Sequence, residues 1–309
     1  MPELPEVETI NRELQKKITN HIIGSVEVKV DRMINLPFLE FAKKLKGKKI
    51  TKLERRGKMM IWDLSDGNYL LIHLKMTGQL IYQPAKSGKL IVGGHPIPPP
   101  SLPLVKGEGK ESGLPLQGEG KIQLPNKFSH ITLKFKNGSK LFFNDIRKFG
   151  WMKLVDSEEL KKEIKKYGLE PLSREFNWDN FKIVITRYPN RKIKQVLLDQ
   201  ILIAGIGNIY NDEICFCAKV LPWRKISGLT LAEKKAIFKC IPEILKFSIS
   251  KKGTSSNTYV TTDGSKGTMV EYLNVYQRHG EKCKRCKKGI IKRIKLNGRG
   301  TFFCEICQK

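Results

Sequence analysis

Apolar residues open the chain at a helical period: Leu4, Val7, Ile10, Leu14 and Ile18 recur every three or four positions on one face. Pro2 and the glutamates at 3, 6 and 8 lie in the first turn, where proline's fixed φ and a negative charge both suit a helix start. The helical period then ends. Short β-like runs are predicted at 25–30, 50–54, 59–64, 69–74 and 79–82, and again at 130–135, 141–144 and 151–155, divided by turn signals such as Asp66-Gly67-Asn68 and Asn137-Gly138. A β-sandwich or barrel carrying one helix follows from this pattern. From about Asp156 the helical period returns, predicting helices at 157–166, 178–187, 192–203, 208–218 and one opening at the capping box Thr230-x-x-Glu233, which Pro242 should kink or shorten.

One stretch breaks the β pattern. Residues 84–127 hold eight prolines and eight glycines in 44 positions with no aromatic side chain. Such a segment has too little apolar surface to offset its ordering entropy, so a flexible excursion between two strands is expected. The fold class is therefore α+β, with an N-terminal β-sandwich domain over 1–156 and a helical domain over 157–270. A C-terminal module over 271–309 completes the chain.

Charge narrows the function. Lys and Arg number 58 against 30 Asp and Glu, a formal net charge of +28 over 309 residues. An excess of that size in the absence of an amphipathic basic helix favours a phosphate backbone as partner over a membrane surface. No apolar run approaches the roughly 20 residues of a membrane span. The acidic start lacks the layout of a signal peptide, so a soluble cytoplasmic protein is expected.

Of the seven cysteines, Cys215, Cys217 and Cys240 fall in apolar helical stretches and read as reduced core thiols. The other four form two C-x-x-C pairs, Cys283/Cys286 and Cys304/Cys307, separated by 17 residues. That spacing fits a zinc ribbon whose four thiolates leave no open coordination position, so the zinc is structural rather than catalytic. The intervening hairpin is rich in lysine and arginine, which suits a nucleic-acid clamp.

Four further clusters are chemically suggestive. Gly205-Ile206-Gly207-Asn208 makes a tight turn opening a helix, where free N–H groups could take a phosphate and Arg187, Arg191, Lys192 and Lys194 could add charge. Arg147 and Phe149 lie two apart near a strand turn, pairing a cation with an aromatic wedge suited to stacked bases. Arg55-Arg56-Gly57-Lys58 puts a lysine at the head of an apolar strand. Finally, removal of Met1 would leave Pro2 as a secondary amine. With an α-amino pKa of roughly 7.7–8.0, it could form an iminium at a sugar C1′, with Glu3 and Glu6 nearby to move protons.

These features occur in one order: Pro2-Glu3-Leu4-Pro5-Glu6-Val7-Glu8-Thr9, Arg56-Gly57-Lys58, His73-Leu74-Lys75-Met76-Thr77-Gly78, Asp145 to Gly150, Leu197-Leu198-Asp199-Gln200, Gly205 to Glu213, and Gly298-Arg299-Gly300-Thr301-Phe302-Phe303-Cys304. In that combination the chain resembles the formamidopyrimidine-DNA glycosylase family, bacterial base-excision enzymes for oxidised purines such as 8-oxoguanine. The resemblance spans nearly everything but 84–127. It implies Pro2 as nucleophile, Glu3 as proton donor to the opening sugar, Lys58 as proton-transfer and phosphate-binding group, Glu6 as a supporting residue, and Arg299 as a phosphate contact that helps elimination. Met76, Arg147 and Phe149 would fill the gap left by an everted nucleotide. His130 would contact DNA, and Asn208 and Arg191 would hold phosphates, Arg191 standing for a basic residue the family tends to place near 190–191. The loop 254–267 would cap the extruded base. The helical domain is implied to be of helix–two-turn–helix type, with one structural zinc ion, no organic cofactor, damaged duplex DNA as partner, and a monomeric bacterial enzyme that associates with the nucleoid. An endonuclease VIII-type enzyme for oxidised pyrimidines also starts Pro-Glu but usually lacks the Arg-x-Phe wedge. A non-enzymatic zinc-ribbon DNA-binding protein would leave Pro2, Glu3 and Lys58 unexplained.

Overall fold

The structure is a computed structural model that describes residues 1–86, 91–94, 124–254 and 268–309. It opens with helix α1 (Leu4–Ile18) and strand β1 (Ile23–Val28). Helix α2 (Phe38–Leu45) precedes strands β2 (Ile50–Arg56), β3 (Met59–Leu64), β4 (Tyr69–His73), β5 (Gly78–Gln83) and β6 (Ile91–Gly94). Strands β7 (Ser129–Phe135), β8 (Lys140–Asp145) and β9 (Trp151–Val155) complete two antiparallel sheets, ordered β1-β7-β8-β5-β6 and β2-β3-β4-β9. Their inner faces and α1 share one core containing Val7, Ile10, Leu14, Leu53, Trp62, Leu80, Ile131 and Phe143.

Strand β3 does not alternate, because both its faces are covered. Met60, Trp62 and Leu64 join the main core, whereas Met59 and Ile61 pack on a second cluster with Leu71 and Val155. Trp62 is fully buried, and its Nε1 donates to Asn11 Oδ1 at 3.3 Å, which satisfies the one polar atom such burial would strand.

The expected excursion over 84–127 is corrected at one point. Ile91–Gly94 pairs with β5 in the register Ile91↔Tyr82 to Gln79↔Gly94, extending the sheet by one strand. An open sheet edge offers backbone partners to any extended neighbour. Residues 95–123 lie outside the described residues.

The helical half comprises α3 (Ser157–Ile164), α4 (Trp178–Thr186), α5 (Ile193–Leu198), α6 (Asn208–Cys217), α7 (Leu231–Ser250) and the short α8 (Met269–Tyr272). The helix predicted over 192–203 stops at Leu198. Asp199 takes over with an extended backbone, and its Oδ1 accepts from Ile201 N at 3.1 Å, a turn that competes with helix. Helix α7 runs through Pro242 for 20 residues, so the proline does not end it. Thr230 caps it as expected, accepting from Glu233 N.

Cys217 and Cys240 overturn the reduced-thiol reading. They form a disulfide between α6 and α7, whose packing sets the two Cα atoms 6.0 Å apart, within bridging distance. Cys215, one helical face away, is a free buried thiol. The chain closes with the hairpin β10 (Lys292–Leu296) and β11 (Arg299–Phe303). Among the described residues, no helix is long and apolar enough to cross a membrane.

Candidate active site and nucleic-acid interface

The start of α1 meets the start of α6. Glu3 is buried, and its carboxylate accepts from the N–H groups of Gly207 at 2.7 Å, Ile209 at 2.9 Å and Tyr210 at 3.4 Å. The turn read as a phosphate cradle is thus already filled by a carboxylate of the same chain. The reason is the usual one for helix starts, where orphan N–H groups and the positive dipole end attract an anion. Gly207 permits the approach: a Cβ there would stand 2.3 Å from Glu3 Cδ.

Glu6 sits one turn further along α1 and ties the helix start to α6 and to Thr254. Its Oε2 accepts from Glu3 N at 2.9 Å, and its Oε1 accepts from the Tyr210 hydroxyl, from Thr254 N at 2.8 Å and from Thr254 Oγ1 at 3.0 Å. The Tyr210 hydroxyl also meets Ser248 Oγ at 2.5 Å. Sequence reasoning named neither Tyr210 nor Ser248 as a site residue; Tyr210 lay within a quoted motif, but Ser248 gave no signal.

Lys58, at the turn between β2 and β3, reaches the same cluster. It is buried and donates from Nζ to the Ile206 carbonyl at 3.1 Å. Burial pushes its pKa below the ordinary lysine value, partly opposed by Glu3 and Glu6, with Arg299 adding to the depression. Burial likewise raises the Glu3 carboxyl, which Lys58 counters and Glu6 reinforces. Burial also lowers the terminal amine carried by Met1, which lies in the field of Glu3, Glu6 and Lys58. Pro2 is buried beside them. The cluster therefore combines an acid biased toward its protonated form with an amine biased toward its neutral form, the pairing general acid–base chemistry requires near neutrality.

A cavity of about 240 Å³ lies between α5 and the C-terminal hairpin, lined by Arg191, Lys194, Leu198, Asp199, Asn297 and Arg299 among others. Arg299 is exposed at the head of β11. Arg191 is partly engaged, with Nη1 3.0 Å from Asp199 Oδ2. Lys194 corrects the expectation of free charge: it is buried, its Nζ 2.5 Å from Asp212 Oδ1, and Asp212 Oδ2 accepts from Phe302 N at 2.9 Å. That pair joins α5 and α6 to the zinc hairpin. Asn208 points the same way, donating from Nδ2 to the Gly300 carbonyl at 2.9 Å.

On the sandwich side, Met76, Arg147 and Phe149 form one exposed group. Arg147 Nη1 donates to Met76 Sδ at 2.9 Å, and its guanidinium lies 4.8 Å from the centre of the Phe149 ring, which is 53% exposed. The buried Asp145 carboxylate builds their turn, accepting from Thr77 Oγ1, from Arg147 N at 3.1 Å and from Gly150 N at 2.7 Å. His130 is buried, with Nε2 2.8 Å from the carbonyl of Asp145, the residue whose carboxylate builds the turn. Residues 255–267 of the expected capping loop lie outside the described residues; Thr254 and Thr268, which pair at its base, lie within them.

The four C-terminal cysteines converge. Cys283 and Cys307 sulfurs are 3.7 Å apart, those of Cys286 and Cys304 are 3.8 Å apart, and all four lie within 4.8 Å of one another. A tetrahedral zinc with Zn–S near 2.3 Å requires sulfurs about 3.8 Å apart. Gly289 N–H donates to Cys286 Sγ at 3.2 Å, a bond that favours the thiolate. These residues form a structural zinc site, and zinc held there would brace the hairpin that presents Arg299.

Comparison with known proteins agrees with this geometry. Residues 1–152 match the family description "Formamidopyrimidine-DNA glycosylase N-terminal domain", residues 167–260 its H2TH domain, and residues 280–309 the zinc finger found in this glycosylase and isoleucyl-tRNA synthetase families. Curated proteins named formamidopyrimidine-DNA glycosylase are 36% identical in Pelotomaculum thermopropionicum and 37% identical in Desulforamulus reducens, each covering 100% of this chain and 99% of the relative. Among solved structures, a Lactococcus lactis mutant enzyme in complex with Fapy-dG containing DNA superposes with a TM-score of 0.82 at 34% identity over 100% of both chains. A complex of the Lactococcus lactis protein with abasic-site DNA gives 0.81 at 34% identity over 99% of both.

Proposed function

Because the chain belongs to the formamidopyrimidine-DNA glycosylase family, we propose that it excises oxidised purines, 8-oxoguanine and formamidopyrimidines, from duplex DNA and then cleaves the strand. The observation that carries this reading is the buried Glu3 carboxylate, held at the α6 start beside Lys58 and the chain terminus. Once Met1 is removed, the Pro2 nitrogen attacks C1′ of the flipped-out nucleotide and the glycosidic bond breaks, the electron pair leaving with the base. The nitrogen's proton passes to the departing base, and Glu3 gives its own proton to O4′ as the C1′–O4′ bond opens, leaving an iminium and the Glu3 carboxylate. Loss of a C2′ proton then expels the 3′ phosphate, and a second elimination expels the 5′ phosphate. Lys58 and Arg299 serve these steps by proton transfer and phosphate neutralisation.

Met76, Arg147 and Phe149 occupy the space the nucleotide leaves. Asn208, Arg191 and Arg299 hold phosphates of the bound strand. Glu6 supports Glu3. The enzyme acts as a monomer.

The test is borohydride trapping on a duplex with one 8-oxoguanine opposite cytosine, followed by peptide mapping. The expected adduct is on the N-terminal peptide of chains lacking Met1 and absent from chains retaining it. An adduct on a lysine peptide, or none from protein shown to have lost Met1, would overturn the mechanism. Trapping on an oxidised pyrimidine alone would overturn the substrate class.

A further inference from the structure

Lys58 is gripped at two points. Its Nζ donates to the Ile206 carbonyl at 3.1 Å. The residue before it, Gly57, has φ +57 and has both backbone groups taken: its N–H donates to Glu170 Oε2 at 2.7 Å and its carbonyl accepts from Arg55 Nη1 at 2.9 Å. The other oxygen of Glu170 accepts from the same Arg55 nitrogen at 2.9 Å, while Arg55 Nε reaches Glu8 of α1 at 2.7 Å. Glu170 is only 6% exposed. A carboxylate buried this fully is retained only when its bonds are well made, and here one of them is to the backbone that aims Lys58.

Glu170 does not belong to the sandwich. It lies between α3 and α4, where Leu169 N–H donates to the Leu202 carbonyl at 3.0 Å and the Leu169 carbonyl accepts from Ala204 N at 2.9 Å. The stretch 200–206 that takes Lys58 Nζ is therefore bonded to the stretch that grips Gly57. Gln200 Nε2 also donates to the Ile206 carbonyl, at 2.8 Å, fixing the acceptor itself.

We propose that Glu170 is a positioning residue for Lys58, locking the Arg56-Gly57-Lys58 turn of the sandwich onto the helical domain so that the amine stays beside Glu3. This rests on the reading of Lys58 given above. A structural brace with no such role would lower activity only by loosening the fold, whatever residue stood at position 58. A residue acting through Lys58 loses its effect once Lys58 is gone.

The experiment is a double-mutant cycle of Glu170→Gln and Lys58→Gln, read by single-turnover excision and strand cleavage of the 8-oxoguanine duplex. Melting temperature, zinc content and affinity for a tetrahydrofuran-containing duplex serve as fold controls. Glu170→Gln is expected to slow the reaction about tenfold or more, as small misplacements of reacting groups do, with duplex affinity within twofold of the parent. In the Lys58→Gln background the same change should cost no further rate. If Glu170→Gln folds poorly, Glu170→Asp, which keeps the charge on Arg55 but shortens the reach to Gly57, takes its place in the cycle. Equal losses in both backgrounds, or no loss in either, overturn the positioning role alone. A wild-type rate for Lys58→Gln overturns the reading of Lys58 and this inference with it.

Discussion

Gly207→Ala is the sharpest single perturbation of the candidate site. A Cβ at 207 would stand 2.3 Å from Cδ and 2.4 Å from Oε1 of Glu3. Carbon atoms in contact sit about 3.5–4.0 Å apart, so the carboxylate must retreat by about 1 Å or more. Retreat breaks or lengthens the bonds from Gly207 at 2.7 Å and Ile209 at 2.9 Å; the third, at 3.4 Å, contributes little. Bonds to a charged acceptor are each worth about 1.5–3 kcal/mol. Partial rebonding and entering water offset some of that loss, leaving about 2–3 kcal/mol of stability lost, in the range of overpacked sites. The reaction should suffer more, because a proton donor displaced by about 1 Å loses roughly 100-fold in rate. The assay is rapid-quench single-turnover excision beside thermal melting, with Glu3→Gln, which keeps the volume and loses the acid, as reference. A Gly207→Ala enzyme within twofold of the parent rate would refute the assignment of Glu3 as a positioned acid.

The remaining predictions test other parts of the molecule. His73 is buried, its pKa pushed down to about 3 by desolvation first and Lys75 second, and its Nδ1 accepts from Lys75 N at 2.9 Å, so the folded ring is neutral. The unfolded chain binds a proton below about pH 6.5 that the folded chain refuses, so stability falls with acid by about 1.4 kcal/mol per pH unit, or about 2 kcal/mol at pH 5; urea midpoints should show this slope shrinking in His73→Asn, and an unchanged slope refutes it. Chelation should remove one zinc per chain by metal analysis and abolish duplex binding, because Phe302 and Cys304 share one small core with Cys283, Val275 and Phe216; full binding by zinc-free protein would sink this. Phe149→Ala should weaken binding to an abasic-site duplex by about 1–3 kcal/mol with no change in melting temperature, since the ring is 53% exposed; a melting shift instead would assign it to the core.

What the sequence made legible follows the range of the physics involved. The four zinc cysteines flank one short hairpin and were readable from spacing alone. The sheets were readable because a covered strand such as β3 leaves an unbroken apolar run. The site's central contact was not readable, because Glu3 and Gly207 are 204 positions apart and no local period joins them. The glycine turn was recognised as an anion site, and only its anion was misjudged. Lys194 was counted as free charge because nothing in Arg191-Lys192-Ile193-Lys194 reports that Asp212, one turn into another helix, lies beneath it. Cys217 and Cys240 were read as reduced thiols because packing between helices, not spacing, brings them together.

A chain terminus is usually the most poorly held part of a domain, which makes it an unpromising place for a reactive group. Here the first turn of α1 is divided between two cores. Leu4 packs with Tyr210, Ile206 and Ile214 of the helical half, whereas Val7, Ile10 and Leu14 pack inside the sandwich. Leu4 N donates to the Gly205 carbonyl at 3.0 Å, and Glu3 and Glu6 tie the same turn to α6. Prying the halves apart would break Leu4 and Glu3 from α6 while leaving the rest of α1 in its sheet. The terminus is therefore ordered by the junction itself, and the groups placed there report whether the two halves are docked. An amine held at this turn has the fixed geometry that the proposed covalent step requires, and has it only in a chain whose halves are correctly assembled.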